Sequence, residues 1–291
     1  MNGYEPRGHP EPDGDGASAE RRRQFAEAAR DERPDLARLC LLIAAEADPA
    51  LDTAGADAVQ IELDALAGRL PFAPAGGPRP WARNVAELLG ARLGFRGTPA
   101  DYRRLESSLL HEVLRRRRGL PILLSVVWME VARRAGAPVY GVALPGHFIV
   151  GFGDPYGAHV LADPFDGGRL LTDEDAGVLV AGATGAPLTE QMLTPAEPLE
   201  IVLRILNNIR AWAAARPEHS AVQLWAVELS LLLPSHPARL RHDHAQLLVQ
   251  RGDFLGGAAE LEEYAKVVGA VDPAAAAAVR RQAAAARAML N

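Results

Sequence analysis

Apolar positions along the chain fall into helical stripes, interrupted once by a strand pattern. In the run LARLCLLIAAEA, Leu36, Leu39, Cys40, Ile43 and Ala44 share one face, and Asp35 stands where an N-cap belongs. Asp48 and Pro49 close this helix. Val59, Leu63, Leu66 and Leu70 predict a second helix over 58–70, capped by Asp57. Four prolines and two glycines make 71–80 a loop. A third helix over 81–93 ends at Gly94. A fourth is predicted over 100–118, with Leu105, Leu109, Val113 and Leu114 on one side.

The next stretch differs. Pro121 suits a first helical position, and from 122 to 135 the only polar residues are Ser125, Glu130, Arg133 and Arg134. A helix apolar all round is normally buried. Its length, roughly 21 Å, is short for a membrane crossing. Two β-rich segments, 139–144 and 147–152, flank Pro145-Gly146. A turn signal at Asp154-Pro155-Tyr156-Gly157 leads to a returning strand at 159–163. A hairpin centred near Pro155 places His147 opposite Asp163, on one face of the sheet. Thr172 and the acids after it read as a helix start. Residues 181–198 read as a linker. Everything from 199 onward is helical by pattern, over 199–215, 220–233, 237–251, 255–268 and 273–290. Residues 237–273 approach a 34-residue tetratricopeptide period, and Arg251-Gly252-Asp253-Phe254 resembles that repeat's inter-helix turn. Residues 1–18, rich in Pro, Gly and acids, have little to bury and are expected to be disordered, with a charged helix over 19–32.

Composition narrows the class. The chain has 291 residues, 48% hydrophobic, enough for one large or two modest domains. A net charge of −6 argues against generic nucleic-acid binding. The single cysteine excludes an internal disulfide and a Cys-based zinc site. With no apolar run of membrane length and no leader-like segment, a cytoplasmic protein is expected. No cofactor or metal is expected. The acids Asp163, Asp166, Asp173 and Asp175 do not follow a calcium-loop spacing. His236, His242 and His244 do not follow a zinc spacing.

His147 is the best candidate functional residue: it opens a strand beside a Gly corner, where Asp163 could fix its tautomer. The plainer alternative is a core histidine bonded to that carboxylate. Ser125 is the only hydroxyl on the apolar helix; a buried serine bonded to a carbonyl is the alternative. Glu130 could act as a base or pair with Arg133 or Arg134. Arg115 to Arg118 read either as an anion or acidic-partner site or as a solvated helix end stopped by Gly119.

The order of helix N-terminus, strand His and next-strand Asp resembles the transglutaminase-like, papain-related Cys-His-Asp core. Aligned on that family's pattern, RRGLPI to RRAGAPV puts Pro121 on the nucleophilic cysteine. The blocks LGFRGTPADYRRLESSLL, LPGHFIVGF, ADPFDGG and LRILNNI resemble the Sir-B-type branch, bacterial transglutaminase-like proteins with a tetratricopeptide tail. In that branch a proline at the cysteine position is usual. One departure is Ser107, where the family has Asn. The resemblance implies that Arg117 and Gly119 belong to a core motif, Arg117 for example as a salt-bridge partner. It further implies that Asn207-Asn208 is a recurring feature, one of the pair expected to bond the core across an interface.

The expected fold is therefore α+β. A mostly disordered N-terminal tail, 1–33, precedes a transglutaminase-like core with a helical N-terminal part, 34–196, and an all-α tetratricopeptide-like tail, 197–291. The expected function is a non-catalytic module that binds a peptide or protein partner in an adaptor or regulatory role. Nucleic acid and membrane are not expected partners, and the oligomeric state is left open. His147 and Asp163 are a candidate remnant pair. Ser125 is a weaker catalytic candidate. Arg117, Gly119, Pro121, Gly146, Phe148 and Phe165 are candidate cleft or motif residues. The alternative is an amide hydrolase or acyl transferase using His147 and Asp163 without a cysteine.

Overall fold

The helix Pro121–Arg134 buries every residue from Pro121 to Ala132, and the other elements are arranged around it. The computed structural model describes residues 13–71 and 77–290. Helix α1 (Asp13–Ala28) is followed by α2 (Leu36–Ala47), α3 (Thr53–Ala67) and α4 (Pro78–Val85), which runs into a π-helical turn, Ala86–Arg92. Two 3-10 turns, Pro99–Arg103 and Leu105–Ser108, precede α5 (Leu110–Arg116) and the buried helix, α6. Then come β1 (Val139–Val142), β2 (Ile149–Gly153), β3 (His159–Asp163), β4 (Arg169–Leu171) and α7 (Asp173–Thr184). The tail is α8 (Pro198–Ala214), α9 (Ser220–Leu232), α10 (Arg239–Gln250), α11 (Phe254–Gly269) and α12 (Pro273–Ala288). This is an α+β core followed by an all-α tail. Among the described residues no helix is long and apolar enough to cross a membrane.

The strands form one antiparallel sheet in the order β1-β2-β3-β4. Alternation divides its side chains between two cores. Val150, Phe152 and Ala162 join the cluster around α6. Val142, Ile149 and Leu161 point the other way, into a smaller cluster with Ala176 and Val180 of α7. Each fully buried aliphatic side chain in such a core contributes roughly 1.5–3 kcal/mol. The larger cluster runs without a break from Phe25 in α1 to Ile201, Ile205 and Ile209 in α8 and Leu229 in α9. A third cluster, including Ala245, Leu261 and Val279, belongs to α10, α11 and α12.

Several local expectations change. The predicted disorder of residues 1–18 lies partly outside the described residues; from Asp13 the chain is helical. Phe25 is buried, and Arg22 pairs with Glu46 of α2 (2.8 Å) and Glu228 of α9 (2.9 Å). The expected segment 1–33 therefore contains a helix that is built into the core. Helix α3 starts earlier than predicted, because Asp52, not Asp57, accepts the Gly55 N–H at its N-terminus. The single helix predicted over 100–118 is three shorter turns. A capping box between Thr98 and Asp101 starts the first, and Arg117 ends the last in the left-handed region, at φ 56°. Part of the predicted linker, 181–184, is the end of α7. Part of the predicted 71–80 loop lies outside the described residues, and Pro78 already opens α4.

Candidate functional site

The N-terminus of α6 is held from behind. The Leu120 N–H donates to Ser107 O (2.9 Å), which leaves Pro121 at the first helical position, where its missing N–H removes no bond. Gly119 is pressed close enough that a Cβ there would stand 2.7 Å from Val113 Cγ2. Arg117 is a strut but not the expected salt-bridge partner. Its Nη1 donates to Leu93 O (3.0 Å) and its own carbonyl accepts from Arg96 N (3.2 Å). Ser125 is fully buried and donates its hydroxyl to Phe148 O (3.3 Å). Glu130, also buried, pairs with Arg133 (2.7 Å) and Arg134 (3.4 Å). Cys40 is buried in α2; burial pushes its thiol far up, and Glu130 and Asp35 push it further. A thiol so protonated is a poor nucleophile.

His147 and Asp163 meet. His147 Nε2 lies 2.9 Å from Asp163 Oδ2. The pairing differs from the expected register by two residues: Val150 faces Ala162 and Gly153 faces His159, so His147 lies just outside β2. A shift of two keeps every side chain on its face, so the pair still forms, as diagonal neighbours. Asp163 is 4% exposed, and its other oxygen accepts the Phe165 N–H (2.9 Å). The His147 side chain retains 13% exposure, so the pair sits at a surface rim. With Nε2 taken by Asp163, Nδ1 is the ring nitrogen left for other groups.

The corner after Asp163 carries Phe165, whose ring meets His147 edge-on at 5.9 Å between centroids and Tyr102 at 6.2 Å. Gly97 fits beneath that ring: a Cβ there would fall 1.9 Å from it, and the Gly97 N–H donates to Phe165 O (2.9 Å). Tyr102 is half exposed. Burial raises its phenol pKa, Arg204 pulls it back and Asp163 adds to the rise. Gly146 takes φ +70° at the corner before His147, and Phe148 just after it is buried.

Two residues at this corner lay outside the sequence-based expectation: Tyr102 and Arg204. From α8, Arg204 Nη2 donates to Leu144 O (2.7 Å) and His147 O (2.6 Å), with its guanidinium over the Phe148 ring at 5.6 Å. Burial lowers its pKa, while Tyr102 opposes the shift. The expected cross-interface bond from Asn207 or Asn208 is not the one that forms. Asn207 is exposed and accepts from Arg210 on its own helix (3.0 Å), because the stripe Ile201, Ile205 and Ile209 turns it outward. Arg204 was the signal to read in LRILNNI: a cation between residues of a buried stripe.

The remaining candidates disperse. Asp166 and Asp175 grip Arg169 (2.8 Å each), and Asp175 also caps α7. His236 Nδ1 lies against Leu233 O, His242 against Gln282, and His244 against Glu260.

A model of the transglutaminase-like superfamily matches residues 57–207, a little over half of the chain, and one of the tetratricopeptide repeat matches 209–291. A UPF0162 protein of Xylella fastidiosa (strain 9a5c) is 35% identical over 185 residues, covering 62% of this chain and 65% of that one. F-box only protein 21 of Mus musculus is 27% identical over 169 residues, covering 56% of this chain and 26% of that one. The matched span is thus under two thirds of each relative's length. Among solved structures, menin aligns with a TM-score of 0.43 and 13% identity, over 87% of this chain and 70% of that one. By the match over 57–207, the chain belongs to the transglutaminase-like superfamily, with a tetratricopeptide-repeat region behind it.

Proposed function

We propose that this chain is a non-catalytic transglutaminase-like module of the Sir-B-type branch. It captures a peptide or protein segment at the His147 corner. The core, 34–196, carries the site, and the tail, 197–291, serves partner recruitment in a cytoplasmic adaptor role. The supporting observation is at the start of α6, where Pro121 occupies the position that the resemblance gives to the nucleophile. Acyl transfer through a covalent intermediate needs a thiol or hydroxyl within hydrogen-bond reach of its base. The one hydroxyl on α6, that of Ser125, is committed to Phe148 O. What remains is a rim of His147, Phe165 and Tyr102, suited to contact with a chain.

The test is a turnover assay with fluorogenic amide and glutamine-acceptor peptides, alongside peptide-binding spectra of the histidine rings. Binding without turnover supports the module. Turnover abolished in His147→Ala with stability intact would falsify the non-catalytic reading. A second reading draws on the 2.9 Å His147–Asp163 contact: a base fixed in one tautomer could activate water against an amide.

A further inference from the structure

The arginine run at 115–118 does not form a single surface. Arg115 turns back to Glu112 (2.5 Å), while Arg116 and Arg118 converge on the buried carboxylate of Asp101 (3.6 Å each). Charge therefore gathers around Asp101 instead of along one helix. Between residues 96 and 118 there are seven arginines against three carboxylates, in a chain whose net charge is −6. The remainder of the chain is correspondingly more acidic.

Arg96, Arg103 and Arg104 are exposed, and none has a side-chain ion-pair partner among the described residues. Their positions border the His147 corner. The Arg96 N–H donates to Arg117 O (3.2 Å), and the next residue is Gly97, which lies beneath Phe165. Arg103 and Arg104 follow Tyr102, whose ring meets Phe165 edge-on. Each of these cations is thus one or two residues from a group touching Phe165, the ring that stands against His147.

We infer that this basic rim docks an acidic, extended segment of a partner protein, its carboxylates on Arg96, Arg103 and Arg104 and its chain running over Tyr102 and Phe165 towards His147. The inference rests on the reading of the His147 corner as a peptide site and adds the partner's chemistry. Planar guanidinium forks match carboxylates, and a local positive field on an acidic protein steers a short acidic segment to one place. The rest of the chain is net acidic, which favours a short acidic peptide over a long polyanion such as nucleic acid. Half-exposed Tyr102 supplies apolar contact for the segment's backbone.

The experiment uses the full chain and three labelled probes: a short Glu-rich peptide, the same peptide with Gln for Glu, and a single-stranded RNA. Fluorescence anisotropy is read at low and high salt for the wild type and for R96Q/R103Q/R104Q, with the histidine-ring spectrum followed in parallel. The expected result is binding of the Glu-rich peptide that weakens with salt and shifts the His147 signals. Binding to the variant should be about tenfold weaker, the middle of the range for three exposed ion pairs. Equal binding of wild type and variant, or a preference for RNA, overturns the proposal. If the Gln peptide binds equally well and shifts His147, the acidic specificity fails while the peptide site stands. If no peptide shifts His147, both fail. A thermal melt checks folding. Should the triple variant melt early, the three single substitutions carry the test, each expected to weaken binding.

Discussion

Arg204 holds His147 by its backbone: one Nη2 nitrogen donates to the carbonyl of His147 at 2.6 Å and to that of Leu144 at 2.7 Å. The two carbonyls flank the Pro145-Gly146 corner, so a side chain from α8 fixes the loop that presents the imidazole. Hydrogen bonds to a charged group contribute about 1.5–3 kcal/mol. R204A is expected to lower stability by about that amount and to shift the His147 ring signals. R204K should recover part of the stability but not the signals, since an ammonium does not reproduce the flat guanidinium lying over the Phe148 ring. Urea unfolding and ring spectra measure both. Unchanged ring signals in R204A would mean that the corner holds itself.

Asp163 has more to hold than His147 does. Besides the imidazole it accepts the Phe165 N–H, and it is nearly fully buried. D163A should therefore cost about 1–3 kcal/mol, leaving a partly buried N–H without its acceptor. H147A, at the rim, should cost less. Chemical denaturation of the two variants decides; a larger loss in H147A would make the histidine a core element and remove the reason to treat it as a binding group.

Gly90 in the π-helical turn allows two backbones to touch: a Cβ there would fall 1.9 Å from Gly167 O. Neither backbone can yield easily, so G90A is expected to cost about 3 kcal/mol, the upper range for overpacking. Gly94 at φ +76° faces open space. G94A should carry only the backbone penalty of about 1–2 kcal/mol. Melting of the two variants side by side separates contact from conformation, and equal losses would contradict the close approach.

His244 lies between Glu260 (2.6 Å) and Glu228 (3.6 Å), while Arg22 of α1 reaches Glu228 from the far side. The nearby Glu228 carboxylate raises the imidazole pKa against burial, with Glu260 adding to the rise. A histidine with a raised folded pKa contributes fully below its unfolded value of about 6.5, and the contribution is lost as pH rises through the folded value. Glu228 works in the opposite sense. Burial pushes its pKa up, but His244 and Arg22 outweigh that, so its contribution is lost on acidification. Wild-type Tm should fall as pH rises above about 6.5, and H244Q should flatten that slope. An unchanged slope in H244Q would place the titrating group elsewhere.

The buried helix was legible because its residues are apolar on every face and Pro121 marks its start. The His147–Asp163 contact was legible as well, although the register was two residues off. The chain makes a longer loop at Pro155, Asp154 N donating to Ala158 O, but the two-residue period protects the face. The predicted helix over 100–118 misled because Leu105, Leu109 and Val113 keep a helical spacing while the backbone does not. Ser107 and Ser108 are buried, and the Ser107 carbonyl is needed by Leu120. The short strand β4 and the grip of Arg204 depend on what lies across from them in space, which spacing along the chain does not encode. The capture of α1 by the core was hidden for the same reason: Phe25 and Ala28 are its buried apolar residues in an otherwise charged segment, and its ion pairs reach Glu46 and Glu228 across space.

The two matched families meet between residues 207 and 209, in the middle of α8, whose Ile201, Ile205 and Ile209 lie in the largest core. The junction between two ancestries is thus a continuous rod and not a hinge. Exchanging the tail for that of another protein would mean cutting that rod and restoring its buried stripe. Recombination that respects the fold would have to break the chain after Leu233, where α10 to α12 begin to rely on their own apolar contacts.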